Sequence, residues 1–307
     1  MYVVLSGGVG AARLLTGITR AVPPDHVLAI ANVGDDLNLF GLHISPDIDT
    51  ILYTTAGQVS RERGWGLTGE SWQAMEMLSS YQGTAWFNLG DRDLGTHLHR
   101  TQRLAEGATL ATVTAELAKA WNLRFGLTPV TNDRLRTMVS TVDEGEISFQ
   151  EYFVRRQHSV PVTSVRFEGA DDAEPAPGVI DAIEQAERVI IAPSNPVVSI
   201  DPVLAVPGIR AAVERRRNDT IAVSPIIGGK ALKGPADRLM VEMGHESSVV
   251  GIAKWYQSLA SSLVIDTVDA EHASAIASLD VKPIVMPTVM SYPGVTDGLA
   301  RAVCGEG

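Results

Sequence analysis

The chain opens on a run of apolar, largely β-branched positions, Tyr2-Val3-Val4-Leu5, which stops at Ser6-Gly7-Gly8-Val9-Gly10 and gives way to helically spaced apolar residues from Ala11 to Ile18. An apolar run ended by glycines reads as a buried strand, and the longer period after it as a helix. The same alternation recurs. Val27–Ala31, Arg188–Ala192, Thr220–Val223, Ser262–Asp266 and Pro283–Met286 read as buried strands. Amphipathic helical patterns follow or separate them at Val179–Glu187, Ile209–Arg217, Ser248–Ser258, Ala270–Leu279 and Gly294–Val303.

Strands alternating with helices predict an α/β fold: a Rossmann-like, doubly wound, mostly parallel sheet covered on both faces. The middle of the chain breaks the alternation. From Asp47 to about Gly126 apolar residues recur at helical spacing, so residues 47–126 are expected to form a mostly helical insertion into a core built from 1–46 and 127–307. Thr137–Val142 and Val160–Phe167 alternate as strands, and the polar Gly169–Gly178 reads as a surface linker.

Glycines between a strand and a helix present backbone N–H groups at the positive end of the helix dipole, which suits a phosphate. The loop is not a Walker A motif, because Ala11 and Ala12 stand where Lys and Ser/Thr belong. Nor is it a dinucleotide fingerprint: the second strand ends in Asn32, not in the carboxylate that holds an NAD ribose. Two further predicted strand ends carry small-residue loops, Pro193-Ser194-Asn195-Pro196 and Ser224-Pro225-Ile226-Ile227-Gly228, the latter with Lys230 and Lys233 nearby. All three belong on the rim where open α/β sheets bind ligands.

The net charge of −11 disfavours nucleic acid and anionic membranes as partners, and it means that a bound polyphosphate needs local positive charge or a metal. Asp35-Asp36 and Asp47-Ile48-Asp49 supply paired carboxylates of the kind that hold Mg²⁺. Helix capping is the competing explanation for Asp47 and Asp49, which precede the helical pattern at Ile51. Asn88 to His97 forms a third polar cluster around Asp91-Arg92-Asp93. With no thiolate or further imidazole at ligand spacing, His97 and His99 do not predict zinc. Trp65 and Trp86 are expected in the core, with stacking on a planar ligand as the alternative. The single Cys304 and the absence of a signal-like start lead to the expectation of a cytoplasmic protein.

Six of these stretches, in order, resemble the 2-phospho-L-lactate transferase family of coenzyme F420 biosynthesis: Ser6–Gly10, Gly34–Leu37, Pro46–Thr50, Leu89–Asp93, Pro193–Pro196 and Ser224–Gly228. Among its members the chain looks most like the actinobacterial phosphoenolpyruvate transferases. The resemblance implies Mg²⁺ as cofactor, held by Asp35, Asp36 and Asp49, and a probable homodimer as the assembly. It also implies transfer of the phospho-enolpyruvyl group of enolpyruvyl-diphospho-5'-guanosine to the ribityl hydroxyl of the deazaflavin Fo, giving dehydro-F420-0 and GMP. Ser6, Gly7, Gly8, Val9, Gly10, Ser194, Asn195, Pro196 and Gly228 would then face the guanosine diphosphate, and Asp49, Asn88 and Arg92 would contact Fo, with Asp49 catalytic. The alternative is a nucleotide-sugar-binding regulatory protein of a related glycine-rich family, without transferase activity.

Overall fold

A computed structural model gives the structure of the chain and describes residues 1–60, 62–81 and 86–305. Residues 61 and 82–85 of the expected insertion, and 306–307 of the expected core, lie outside the described residues. Seven strands form one fully parallel sheet in the order Lys282–Val285, Ser262–Ile265, Thr220–Val223, Arg188–Ile191, β1 (Tyr2–Ser6), β2 (Val27–Ala31), Gly126–Pro129. Leu5 is opposite Ile30 on one side and Ile191 on the other. Parallel strands covered on both faces must be apolar throughout, and the five residues of β1 are all buried.

The chain winds outward from β1 to β2 and Gly126–Pro129, returns to Arg188–Ile191 on the other side of β1, and winds outward again. The reversal between β1 and Arg188–Ile191 is a topological switch point, and ligands in such sheets bind in the crevice beyond it. Helix α1 (Gly8–Ala21) starts in that crevice, with α2 (Pro46–Thr55) and the helix Val295–Cys304 packed along it.

Four helices lie between β2 and Gly126–Pro129: α2, Gln73–Ser80, Asp91–Ala105 and Leu110–Ala120. Ile48, Ile51 and Leu52 of α2 join the main apolar core, whereas Ile44, Met75 and Leu89 make a small separate one. A hairpin of Leu37–Leu39 and Leu42–Ile44, which the hydrophobic pattern did not indicate, rests on the Asp91–Ala105 helix. The alternating stretches become an antiparallel sheet of Gly145–Ser148, Arg136–Thr141 and Val162–Glu168. The segment read as a surface linker buries Ala170, Ala173 and Ala176 and pairs Pro175 with Thr131. Its alanines are small enough to pack where the polar neighbours suggested exposure.

Candidate active site

The first and fourth strand ends are stitched together. Ser194 Oγ donates to the Gly7 carbonyl at 2.6 Å, and the Gly7 N–H donates back to Ser194 Oγ at 3.3 Å. A β-carbon on Gly10 would lie 2.1 Å from the Pro193 carbonyl oxygen, so only glycine lets the two loops approach this closely. Gly8 has φ +55°, a conformation that other residues rarely adopt. Asn195 caps the turn after it by accepting from the Val197 N–H at 3.0 Å.

The acidic residues divide into two groups. Asp47 faces the glycines: its carboxylate accepts from Asn32 Nδ2 at 3.0 Å and from the Gly8 backbone. It makes no capping bond to the start of α2, whose N-cap is Ser45, so the capping explanation fails here. Burial pushes the Asp47 carboxyl up to about 7. Burial, reinforced by Asp47, likewise holds the Asp35 carboxyl well above the usual carboxylate range. Asp36 is also raised, chiefly by burial, although its Oδ2 receives His43 at 2.9 Å and Ser45 at 2.7 Å. Asp35 Oδ1 and Asp36 Oδ1 are buried without a hydrogen-bond partner.

The second group is built around Arg100. Asp49 is gripped by both terminal nitrogens of Arg100, Nη1 at 3.1 Å from Oδ2 and Nη2 on Oδ1. Arg100 is 0% exposed. Its Nη1 also lies 3.3 Å from His97 Nδ1. On the other side of the ring, His97 Nε2 lies 3.4 Å from Asp93 Oδ2. Tyr53 donates to Asp93 Oδ1 at 2.6 Å. Burial alone would raise the Asp93 carboxyl, but His97, Tyr53 and Arg100 outweigh it and hold it low.

Asp35 and Asp47 of the first group and Asp49, Asp93 and His97 of the second border one cavity of about 740 Å³, whereas Asp36 is not among its lining residues. Gly7, Gly8, Val9, Gly10, Ser194 and Asn195 line one part of it; Asp49, Asn88, Asp93 and His97 line another. Trp65 and Trp86 line it as well, and Trp65 is 43% exposed, so the expectation that these tryptophans lie in the core is corrected. Arg13, Arg63 and Lys233 bring positive charge to a strongly acidic chain at this place. Arg63 also sits over the rings of Trp65 and Trp72, at 5.7 and 5.2 Å.

Other expected site residues point elsewhere. Arg92 donates to the Thr68 carbonyl, and its backbone N–H to Glu70, so it braces the 68–70 segment and is not among the cavity-lining residues. Gly228 donates to the Asp269 carboxylate at 3.0 Å in a short hairpin, and neither it nor Lys230 is a lining residue. Ser6 is fully buried and donates to the Val4 carbonyl, Pro196 is buried, and neither is a lining residue.

The sequence model of the family described as 2-phospho-L-lactate transferase CofD matches residues 2–282. The chain belongs to this family. Proteins named phosphoenolpyruvate transferase are similar along nearly the whole length. The one from Streptomyces griseus is 41% identical over 97% of this chain and 96% of its own. Those from Nocardia farcinica and Mycolicibacterium smegmatis are 42% and 41% identical over 97% of this chain, and over 92% and 96% of theirs. A crystal structure of a Bacillus halodurans protein described as a member of the UPF0052 family superposes with a TM-score of 0.62 at 17% identity, over 99% of this chain and 98% of that one, which shows a shared fold. The chain is therefore a transferase of the phosphoenolpyruvate or 2-phospho-L-lactate type, and the expected α/β fold is the observed one.

Two carboxylate sets suit a hard divalent cation. Asp49, Asp93 and His97 bring ligand atoms within 4.8 Å of one another, but Arg100 already supplies a cation there. Asp35 and Asp47 are mutually repelling carboxylates, and Asp35 Oδ1 and Asp36 Oδ1 are orphaned, so this second set also offers oxygens of the kind such an ion takes. A carboxyl raised in the folded state holds a proton that the unfolded chain gives up. Its contribution to stability is fully present below about pH 4 and is lost as pH rises through about 7. Metal-free protein should accordingly melt lower at pH 8 than at pH 5.5, and Mg²⁺ should raise the melting temperature more at pH 8. Equal Mg²⁺ shifts at both pH values in a thermal-denaturation series would remove these carboxylates from metal binding.

Proposed function

We propose that the protein transfers the phospho-enolpyruvyl group of enolpyruvyl-diphospho-5'-guanosine to the ribityl hydroxyl of Fo, releasing GMP and forming dehydro-F420-0. The observation that carries this reading is the single cavity, large enough for two substrates, that joins glycine loops to a carboxylate wall and aromatic side chains. Val9 and Gly10 lie in the first turn of α1, where backbone N–H groups have no helical acceptor, and are the donors for the diphosphate. Arg13 and Lys233 add charge from the sides. Asn88 and the faces of Trp65 and Trp86 receive the deazaflavin.

The hydroxyl oxygen forms a bond to the phosphorus carrying the enolpyruvyl group while the bridging P–O bond to GMP breaks. Asp49 orients the hydroxyl and accepts its proton as the new bond forms. No covalent intermediate is needed, because phosphoryl-type transfer relies on positioning and charge neutralisation. Mg²⁺, held by Asp35, Asp36 and Asp47, would neutralise the diphosphate and the departing GMP. Asp49, whose oxygens Arg100 already occupies, is left to the acceptor.

Purified protein incubated with Fo, Mg²⁺ and either the enolpyruvyl or the lactyl donor should yield the corresponding phosphodiester and GMP by mass spectrometry, and EDTA should abolish the product. Product formed at full rate in metal-free buffer would overturn the metal role. No product from either donor would overturn the substrate assignment.

A further inference from the structure

Arg100 is not among the residues that border the cavity, yet it is the largest fully buried side chain among the described residues. Three segments meet on it. Its Nη1 reaches Asp49 of α2 at 3.1 Å, His97 of its own helix at 3.3 Å and the His43 carbonyl of the hairpin at 3.4 Å, while Nη2 closes the fork on Asp49. A buried ion pair is a poor source of net stability, because desolvation of both charges offsets their attraction. What a two-pronged guanidinium fixes is geometry. It sets the plane of the carboxylate and the direction of its remaining lone pairs, which a lysine, a single point charge, cannot do. Asp49 is 5% exposed, and that small exposure is onto the cavity.

We propose that Arg100 is a positioning residue of the transfer reaction: it holds the Asp49 carboxylate in the one orientation that meets the acceptor hydroxyl, with His97 and Asp93 bracing it from behind. The inference rests on the role given to Asp49 under the proposed function. It requires no contact between Arg100 and either substrate. The cost of losing Arg100 must therefore pass through Asp49.

That requirement makes a double-mutant cycle decisive. Arg100→Met should lower kcat on the order of a hundredfold with little change in KM for the nucleotide donor, the pattern of an interaction realised in the transition state. In an Asp49→Asn background the same change should lower kcat by less than about threefold further, since the group being oriented is gone. Arg100→Lys keeps the buried charge and guards against a failure to fold. It should lose about tenfold in kcat while remaining folded by circular dichroism, because a fork is replaced by a point donor. A residue that merely supports the fold would instead lower the melting temperature and leave the kcat of the folded protein unchanged. Arg100→Lys with wild-type kcat and KM, or Arg100→Met losses that multiply fully with those of Asp49→Asn, would overturn the positioning role while wild-type turnover of Fo still stood. Absence of Fo turnover by the wild-type protein would overturn the substrate reading itself, and this proposal with it.

Discussion

Asp49→Asn is expected to reduce turnover on the order of a hundredfold or more, the scale of a lost positioned base or charge-stabilising group. Asparagine keeps the size of the side chain and one acceptor oxygen but not the charge that Arg100 grips. Were Asp49 simply a helix-capping residue, asparagine would serve nearly as well. It stands four positions inside the helix start at Ser45, where no capping bond is made. Leaving the buried Arg100 without its counter-charge should also destabilise the protein, by about 3–5 kcal/mol. Rates should therefore be measured well below the melting temperature of the variant, with circular dichroism confirming the fold. A folded Asp49→Asn protein with wild-type kcat would remove Asp49 from the mechanism.

Gly10→Ala should be nearly as damaging, and for a purely steric reason. The added methyl would overlap the Pro193 carbonyl, a backbone atom that cannot turn aside as a side chain can. The 193–196 loop would have to separate from α1, breaking the reciprocal Ser194–Gly7 hydrogen bonds. Affinity for GDP, read by calorimetry, should fall at least about tenfold, roughly the value of one or two lost hydrogen bonds to a charged group. Fo binding, at the other wall, should persist. An unchanged GDP affinity would move the nucleotide away from this crevice.

The contrast between the two walls explains what could be read in the sequence. Six strands of the parallel sheet, two of the antiparallel one and the glycine loops were legible because their signals are local: an apolar run, an alternation, a glycine, a helical period. The strand Gly126–Pro129 and the 37–44 hairpin were not, since Gly-Leu-Thr-Pro holds a single large apolar residue and the hairpin strands are three residues each. Asp49 was legible through family motifs, but its partner was not. Arg100 lies 51 positions away on a largely polar helix. The signal that was present is the spacing of Asp93, His97 and Arg100, which at i, i+4 and i+7 share one helical face. Three ionisable residues on the buried stripe of a helix ask for partners. Asp47 was ambiguous for a related reason, because position two of a helix suits an acidic residue whether or not it faces a ligand. Trp65 and Trp86 misled because large aromatics are read by default as core, and a ligand cavity uses the same residue type.

The two margins of the parallel sheet share a feature that bears on how the molecule meets others. In the strand Lys282–Val285, Lys282 donates inward to Ser261, and just beyond it Met286 donates inward to Ile265. By alternation Pro283 lies at an outward-facing backbone position, where it has no N–H to offer. At the opposite margin Val130 donates inward to Ala31, which places Pro129 at an outward position in the same way. Each margin thus lacks a donor that an incoming strand would need, the usual protection against strand-to-strand aggregation. Joining two copies of this chain through either margin of the parallel sheet is thereby disfavoured.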